Sequence, residues 1–279
     1  MPAIIKMTGK AMFFILILLN THVFAKEGKW TSDDKNRPSM FNNSTNAPVI
    51  KRIADSIYSL ISLGDYGLER DVFFNAYKGF QYLKSKGQLR KKDLLTICDY
   101  SQSINNKRLY VIDLENSRLL YHTYVSHGKN SGDEFATSFS NLDNSNKSSL
   151  GFLVTGTTYS GIAGYSLKLA GMERGINNNV AARSIVLHGS KFVNEHTMNE
   201  KGRMGKSYGC PAVPQEISKK IINTIKGGSC LFIYHPDEHY AHTSAILNAQ
   251  FDLAPAVQPT EQIAKQGWQA VADIIAQVK

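Results

Sequence analysis

The sequence predicts a mostly β fold with flanking helices, and three features carry that reading. From residue 94 onward, LLTICDYS, RLYVIDL and RLLYHTYV are short runs rich in β-branched and aromatic residues, separated by polar turns. Two stretches with helical spacing precede them. Two further apolar runs, SIVL and SCLFIYH, follow and bracket one more helical pattern.

The elements can be taken in order. Lys6 and Lys10 precede the apolar run Ala11 to Leu19, and Val23-Phe24-Ala25 closes it with residues a signal peptidase accepts. A charged start, a short apolar centre and a small-residue exit predict a secretory signal over residues 1–25. An uncleaved anchor or a buried helix is the other reading, but the run is shorter than the roughly 20 residues a membrane span takes. Residues 26–46 are polar and turn-rich and read as a flexible linker. Val49, Ile53, Ile57, Leu60 and Ile61 then recur at helical spacing, as do Val72, Phe73, Ala76, Phe80 and Leu83, with Gly87 as a stop.

In the β-rich part, Glu115-Asn116-Ser117 would join two strands as a hairpin. Residues 127–179 are dense in Gly, Ser, Asn and Thr but interleaved with Phe135, Phe139, Phe152, Tyr159 and Tyr165. That mixture predicts short strands and ordered loops, the usual setting of a cleft. Ser184 to Leu187 reads as a buried strand ending at His188-Gly189. Pro214 opens a helix with Ile217, Ile221, Ile222 and Ile225 on one face, and Gly227 closes it. The domain is expected over residues 47–235, with a C-terminal tail, 236–279, holding one helix near Ile263, Trp268, Val271 and Ile275.

The bulk numbers agree with an ordinary globular protein. The 279 residues are 42% hydrophobic and 20% charged, with a net charge of +9. Loss of residues 1–25 would remove two lysines and no acid, taking +9 to +7. A basic surface suits anionic partners without choosing among them. No Walker loop, dinucleotide fingerprint, GxSxG elbow or nucleic-acid motif is present, so no nucleic-acid partner is expected. No later segment reads as transmembrane, and no stable membrane insertion is expected once the signal is removed.

Three cysteines are an odd number for an exported chain, which points to a free reactive thiol. Cys98 and Cys230 sit in apolar runs and read as core. Cys210, in KSYGCPAV, lies between glycine and proline, where no regular element can run. A thiol attacks as thiolate and needs a base. His188, at the end of an apolar strand and beside a glycine, is the candidate. Backbone N–H groups of the turn Tyr208-Gly209-Cys210 would form an oxyanion hole. His122, His127, His196 and Cys210 are conceivable zinc ligands, but their spacings match no compact ligand pattern. No metal or other cofactor is expected.

The residues HGSKFVN…GRMGKSYGCPAV resemble the catalytic signature of the L,D-transpeptidases, in which a strand ends in HG and a later turn reads serine, any residue, GC. Here these are His188-Gly189 and Ser207-Tyr208-Gly209-Cys210. The similarity is to the branch termed the murein L,D-transpeptidase catalytic domain family, and RLYVIDL, VSHGKNSG, FSN, SSLGF, AARSIVLHG and GGSCLFIY extend it. The resemblance implies a β-sandwich catalytic domain, a cysteine–histidine pair oriented by the Gly189 carbonyl, and a periplasmic or cell-envelope location. It also implies peptidoglycan stem peptides as substrate. It further implies acyl transfer through a Cys210 thioester to a second stem's amine. Water as acceptor would make an L,D-carboxypeptidase, a protein amine would make an anchoring enzyme, and loss of chemistry would leave a wall-binding module. Many members carry arginine two residues after the cysteine, where this chain has Ala212, and histidine where it has Tyr208. Arg203 or Arg183 is then the candidate source of the missing charge, with Ser207, Tyr208 and Gly209 as the other substrate-facing residues.

Overall fold

The computed structural model describes residues 47–251. The expected signal, the linker and the helical pattern near residues 263–275 lie outside them. Among the described residues no helix is long and apolar enough to cross a membrane.

Two helices open the domain, α1 (Ala47–Ile61) and α2 (Arg70–Ser85). The buried side of α1 centres on Ile50 and Ala54, while Leu60 of the expected stripe is 70% exposed. In α2 every residue from Val72 to Phe80 is buried, including Asn75 and Lys78. A helix buried all round lies inside the fold and does not edge it. Lys78 donates its ammonium to the Leu247 carbonyl, so this buried charge ties α2 to the end of the described chain.

Eight strands form one mixed sheet: β1 (Leu94–Asp99), β2 (Leu109–Asp113), β3 (Arg118–Thr123), β4 (Gly151–Gly161), β5 (Gly164–Gly171), β6 (Val186–Ser190), β7 (Ala212–Pro214) and β8 (Cys230–Tyr234). Their order is β3-β2-β1-β8-β4-β5-β6-β7. Antiparallel pairing dominates; β1 with β8 and β6 with β7 run parallel. The two ends of the sheet meet where the Ser126 N–H, three residues past β3, donates to the Ala212 carbonyl at 2.8 Å. The mostly β fold with flanking helices expected from the sequence is therefore built as a single, nearly closed sheet.

The β2–β3 hairpin stands where its turn residues predict. The Gly- and Ser-rich stretch departs from expectation, because it holds the two longest strands. β4 and β5 pair from Leu153↔Gly171 to Gly161↔Gly164. Their inner halves are buried between β8 and β6, and their tip projects, with Ile162 fully exposed. Cross-strand pairing holds that tip without burial, so no hydrophobic alternation marks it in the sequence.

Past β8, α5 (Glu238–Thr243) and the residues to Phe251 continue the core, with Tyr240, Ile246 and Leu247 buried. The buried Glu173 carboxylate fastens this segment. It accepts the Phe152 N–H at 2.8 Å, the Tyr240 hydroxyl at 3.1 Å and the Ser244 hydroxyl. Burial pushes its pKa up, against the pull of those three donors.

At the centre, Phe152 of β4 stacks on Phe232 of β8 with ring centroids 4.2 Å apart, and both are fully buried. Phe152→Ala should lower the unfolding free energy by about 3–5 kcal/mol, the usual cost of deleting a buried aromatic side chain. Urea unfolding of the two proteins measures it, and a loss below 1 kcal/mol would place the core elsewhere.

Candidate active site

The parallel pairing of β6 with β7 builds the site. His188 stands opposite Ala212, two residues beyond Cys210, and its N–H reaches the Pro211 carbonyl at 3.4 Å. Cys210 lies back along β6: the Val186 N–H points at its sulfur at 3.4 Å, and the Ser184 carbonyl is 3.9 Å away. Residues 186 and 188 share one face of the strand. The sulfur is thus held against the β6 backbone at Val186, two residues before His188.

His188 Nδ1 is 2.9 Å from the Gly189 carbonyl. A carbonyl can only accept, so Nδ1 is the protonated nitrogen of this contact and Nε2 is the ring nitrogen left to act on other groups. Gly189 does more than leave the approach open. A Cβ there would lie 2.5 Å from Ser218 Oγ, so the glycine lets helix α4 (Gln215–Ile225) seat against β6.

The Cys210 turn is shaped by groups the sequence assigned elsewhere. Ser207 is buried; its hydroxyl donates to the Cys210 carbonyl at 2.6 Å and accepts the Gly209 N–H at 3.1 Å. The Gly209 N–H is thus occupied inside the turn, which removes it from the expected set of oxyanion donors and makes Ser207 a turn-former. Gly209 has φ +124°, and a Cβ would meet Ile185 Cδ1 and the Lys147 carbonyl, each at 2.9 Å. Only glycine fits there. Ser148 holds the other side, accepting the Gly128 N–H at 3.0 Å and donating to the Gly209 carbonyl at 3.1 Å.

Tyr208 is exposed, with the Lys129 ammonium 4.3 Å from its ring centroid. Arg203 pairs through Nε with Asp133 at 3.0 Å. Arg183 fastens the loop that backs the turn: Nη1 donates to the Ser140 carbonyl and Ser149 Oγ, and Nη2 to Ser145 Oγ and the Lys147 carbonyl, at 2.6–3.0 Å. Of the two arginines expected to supply charge, it is Arg183 whose field acts on the sulfur.

The three thiols differ as their contexts predict. Cys98 and Cys230 are fully buried and Cys210 is half-buried; none is paired. Burial pushes Cys98 up to about 12 and raises Cys230 further. Burial also raises Cys210, but the Val186 N–H and the Arg183 charge oppose it.

Behind the turn lies a buried polar group that no sequence signal announced. Arg108 has no exposed surface; it donates to the carbonyls of Val125 and Gln102 and to His127 Nδ1, and stacks over Tyr100. Burial and the Arg108 charge push His127 down to about 3, so this histidine stays neutral and sealed from substrate. His122 stacks on Tyr110 and His196 pairs with Glu200. Among the described residues no group of three or more His, Cys, Asp or Glu is placed to hold a metal.

Residues 65–234 match the L,D-transpeptidase catalytic domain. The chain belongs to that family. Among curated proteins no relative matches the sequence. Similar solved structures include an L,D-transpeptidase from Mycobacterium smegmatis (10% identity, 51% of this chain and 59% of that one, TM-score 0.32). The helical cell shape determining protein Pgp2 from Campylobacter jejuni is another (12% identity, 57% of each chain, TM-score 0.36). A third is an L,D-transpeptidase from Stackebrandtia nassauensis (10% identity, 71% of this chain and 97% of that one, TM-score 0.31). The chain spans less than two thirds of the first two. Within the L,D-transpeptidase domain, the match begins just before α2 and ends with β8, so it encloses the whole Cys210 turn and β6.

Native-state alkylation should modify Cys210 and leave Cys98 and Cys230 untouched until denaturant is added, as read by peptide mass mapping. The raised Cys210 value keeps the thiol protonated at neutral pH, so its labelling rate should climb with pH and level off above the ordinary thiol range of about 8.5. Arg183→Gln removes a positive neighbour and should move that midpoint further up. A midpoint that falls or stays would show that the Arg183 charge does not act on the sulfur.

Proposed function

We propose that this protein is a cysteine acyl transferase acting on peptidoglycan stem peptides. The observation that carries this is the 2.9 Å contact of His188 Nδ1 with the Gly189 carbonyl, which orients the ring and leaves Nε2 to act as base, on the strand that also flanks Cys210.

The step runs as follows. His188 Nε2 takes the Cys210 proton as the sulfur attacks a donor peptide carbonyl. The carbonyl electrons move to oxygen, where the backbone N–H groups of Tyr208 and Cys210 stabilise the charge. The C–N bond breaks, the imidazolium protonates the departing amine, and a thioester remains. An acceptor amine then attacks the thioester and gives a proton to His188; the C–S bond breaks, and the imidazolium reprotonates the departing sulfur, leaving a new amide and the resting thiol. Because burial keeps the resting thiol protonated, the proton moves at the time of attack. The acceptor decides the outcome: a second stem gives a cross-link, and water gives a trimmed peptide. Family membership and the secretory pattern of residues 1–25 support work outside the cytoplasm, on the cell wall. N-terminal sequencing of exported protein should then begin at or within two residues of Lys26, and a chain retaining residues 1–19 would indicate an anchor.

Incubation with purified muropeptides, followed by mass analysis, tests the chemistry. Wild-type protein should release the donor's terminal residue and form either dimers or trimmed peptides. Cys210→Ala should abolish both while keeping the melting temperature, and His188→Ala should slow them by about 10²–10⁴-fold, the usual share of a general base. A carbapenem should leave one adduct per chain, on Cys210. Full activity in Cys210→Ala would overturn the mechanism.

A further inference from the structure

The loop between β6 and the Cys210 turn, residues 191–206, encloses a second feature. Phe192, Thr197, Lys201, Arg203, Met204 and Lys206 line a cavity of about 290 Å³ that contains three cations and no acid in its wall. Its floor is Met204, fully buried against Val193 and Ala212, and Ala212 follows Cys210 by two residues. Lys206 directly precedes Ser207. The cavity is therefore built by the segment that leads into the turn carrying the sulfur.

The cations are met from outside by one carboxylate. Asp133 Oδ1 accepts from both Arg203 Nε at 3.0 Å and Lys206 Nζ at 2.9 Å. The partners are unequal in exposure: the Lys206 side chain is 16% exposed and Asp133 75%. The cations belong to the wall, while the carboxylate hangs in solvent on the loop after His127. The acids of the neighbouring helix α3 (Glu195–Lys201) are engaged elsewhere, Glu195 with the Tyr124 hydroxyl and Glu200 with His196. Lys201 of the wall lies 5.6 Å from the Phe192 ring centroid, and Lys191, 5.3 Å from it, adds a further positive charge at the rim. The site has an excess of positive charge and an internal carboxylate bound at an exposed pair, which is weak and easily exchanged. Asp133 marks the chemistry that fits there: an oxygen anion of carboxylate size, next to an apolar ring.

We propose that this cavity is an anion subsite that takes a free carboxylate of the peptide substrate, and that Asp133 holds Arg203 and Lys206 from outside until substrate arrives. The inference rests on the peptide acyl transferase reading above and specifies what part of the peptide is recognised. Binding would exchange one carboxylate for another on Arg203 and Lys206, leaving the Cys210 turn in place.

The test uses full-length Cys210→Ala protein, titrated calorimetrically with two stem tetrapeptides that differ only in whether the side carboxylates are free or amidated. The free-carboxylate peptide should bind about tenfold tighter, as expected for a hydrogen bond to a charged group, and the margin should shrink in high salt. Arg203→Gln, an exposed change that leaves Lys206 in the wall, should erase most of that margin without weakening the amidated peptide. The Lys206→Gln and Arg203→Gln double variant should erase all of it. Asp133→Asn should tighten the free-carboxylate peptide several-fold, since the internal competitor is gone. Equal affinity for the two peptides, equal loss of both in Arg203→Gln, weaker binding in Asp133→Asn, or no saturable binding of either would each overturn the inference. Wild-type turnover of the same peptides, measured separately, decides the acyl transferase reading whatever the margin.

Discussion

Most of what this site can do depends on the short parallel contact between β6 and β7. It spans only His188 to Ser190 against Ala212 to Pro214, yet it sets the positions of His188 and Cys210, the proposed base and nucleophile. The chain must travel from His188 through a loop, helix α3 and a tight turn before it returns at Cys210. Sequence separation alone therefore gives no reason for proximity. The pairing is braced from both sides. Helix α4 packs on Gly189 with no room for a side chain, and Ser126 bridges to Ala212 where the sheet nearly closes. Loosening either support would shift β6 against the Cys210 turn, and for the proposed pair misplacement of that kind would be costly.

The second constraint is the network of polar groups behind the turn. Arg108, Tyr100 and His127 are all buried, and a buried charge is tolerated only when its hydrogen bonds are met. Arg108 meets them with two backbone carbonyls and His127 Nδ1. The Tyr100 hydroxyl donates to the Ser126 carbonyl at 2.8 Å, and the His127 carbonyl accepts the Ser207 N–H at 2.9 Å. The loop from Ser126 to Ser131 is thus locked to the sheet on one side and to the Ser207–Cys210 turn on the other. Ser148 and Arg183 complete the frame from the next loop. A nucleophile placed in a turn gains access but loses the rigidity of a strand; here side-chain hydrogen bonds supply that rigidity.

The electrostatics follow from the same frame. Burial works against the Cys210 thiolate, while the Val186 N–H and Arg183 work for it, and burial is the larger effect. The thiol is therefore reactive only when a base takes its proton. Arg183 acts on the sulfur and at the same time anchors the loop against Gly209. Arg203 and Lys206 have their charges turned to Asp133 at the neighbouring cavity. Two arginines that look equivalent in sequence therefore serve different parts of the site.

The sequence by itself determined the class of fold and singled out Cys210 and His188 as the candidate reacting groups. Strand runs, helix periods and the β2–β3 turn are local signals, because propensity and alternation act over a few residues. Cys210 stood out because glycine and proline exclude regular structure around it, and Cys98 and Cys230 because apolar runs bury what they contain. The HG and SxGC residues added the family. Tertiary structure decided the rest. It closed the sheet, extended β4 and β5 through a stretch whose tip has no buried face to alternate, and folded residues 236–251 into the core around Glu173 and Lys78. It also bonded the Gly209 N–H to the Ser207 hydroxyl inside the turn, and separated Arg183 from Arg203. Those outcomes depend on which carbonyls and hydroxyls lie within about 3 Å of a side chain after distant segments meet, and no local pattern in the chain encodes that distance.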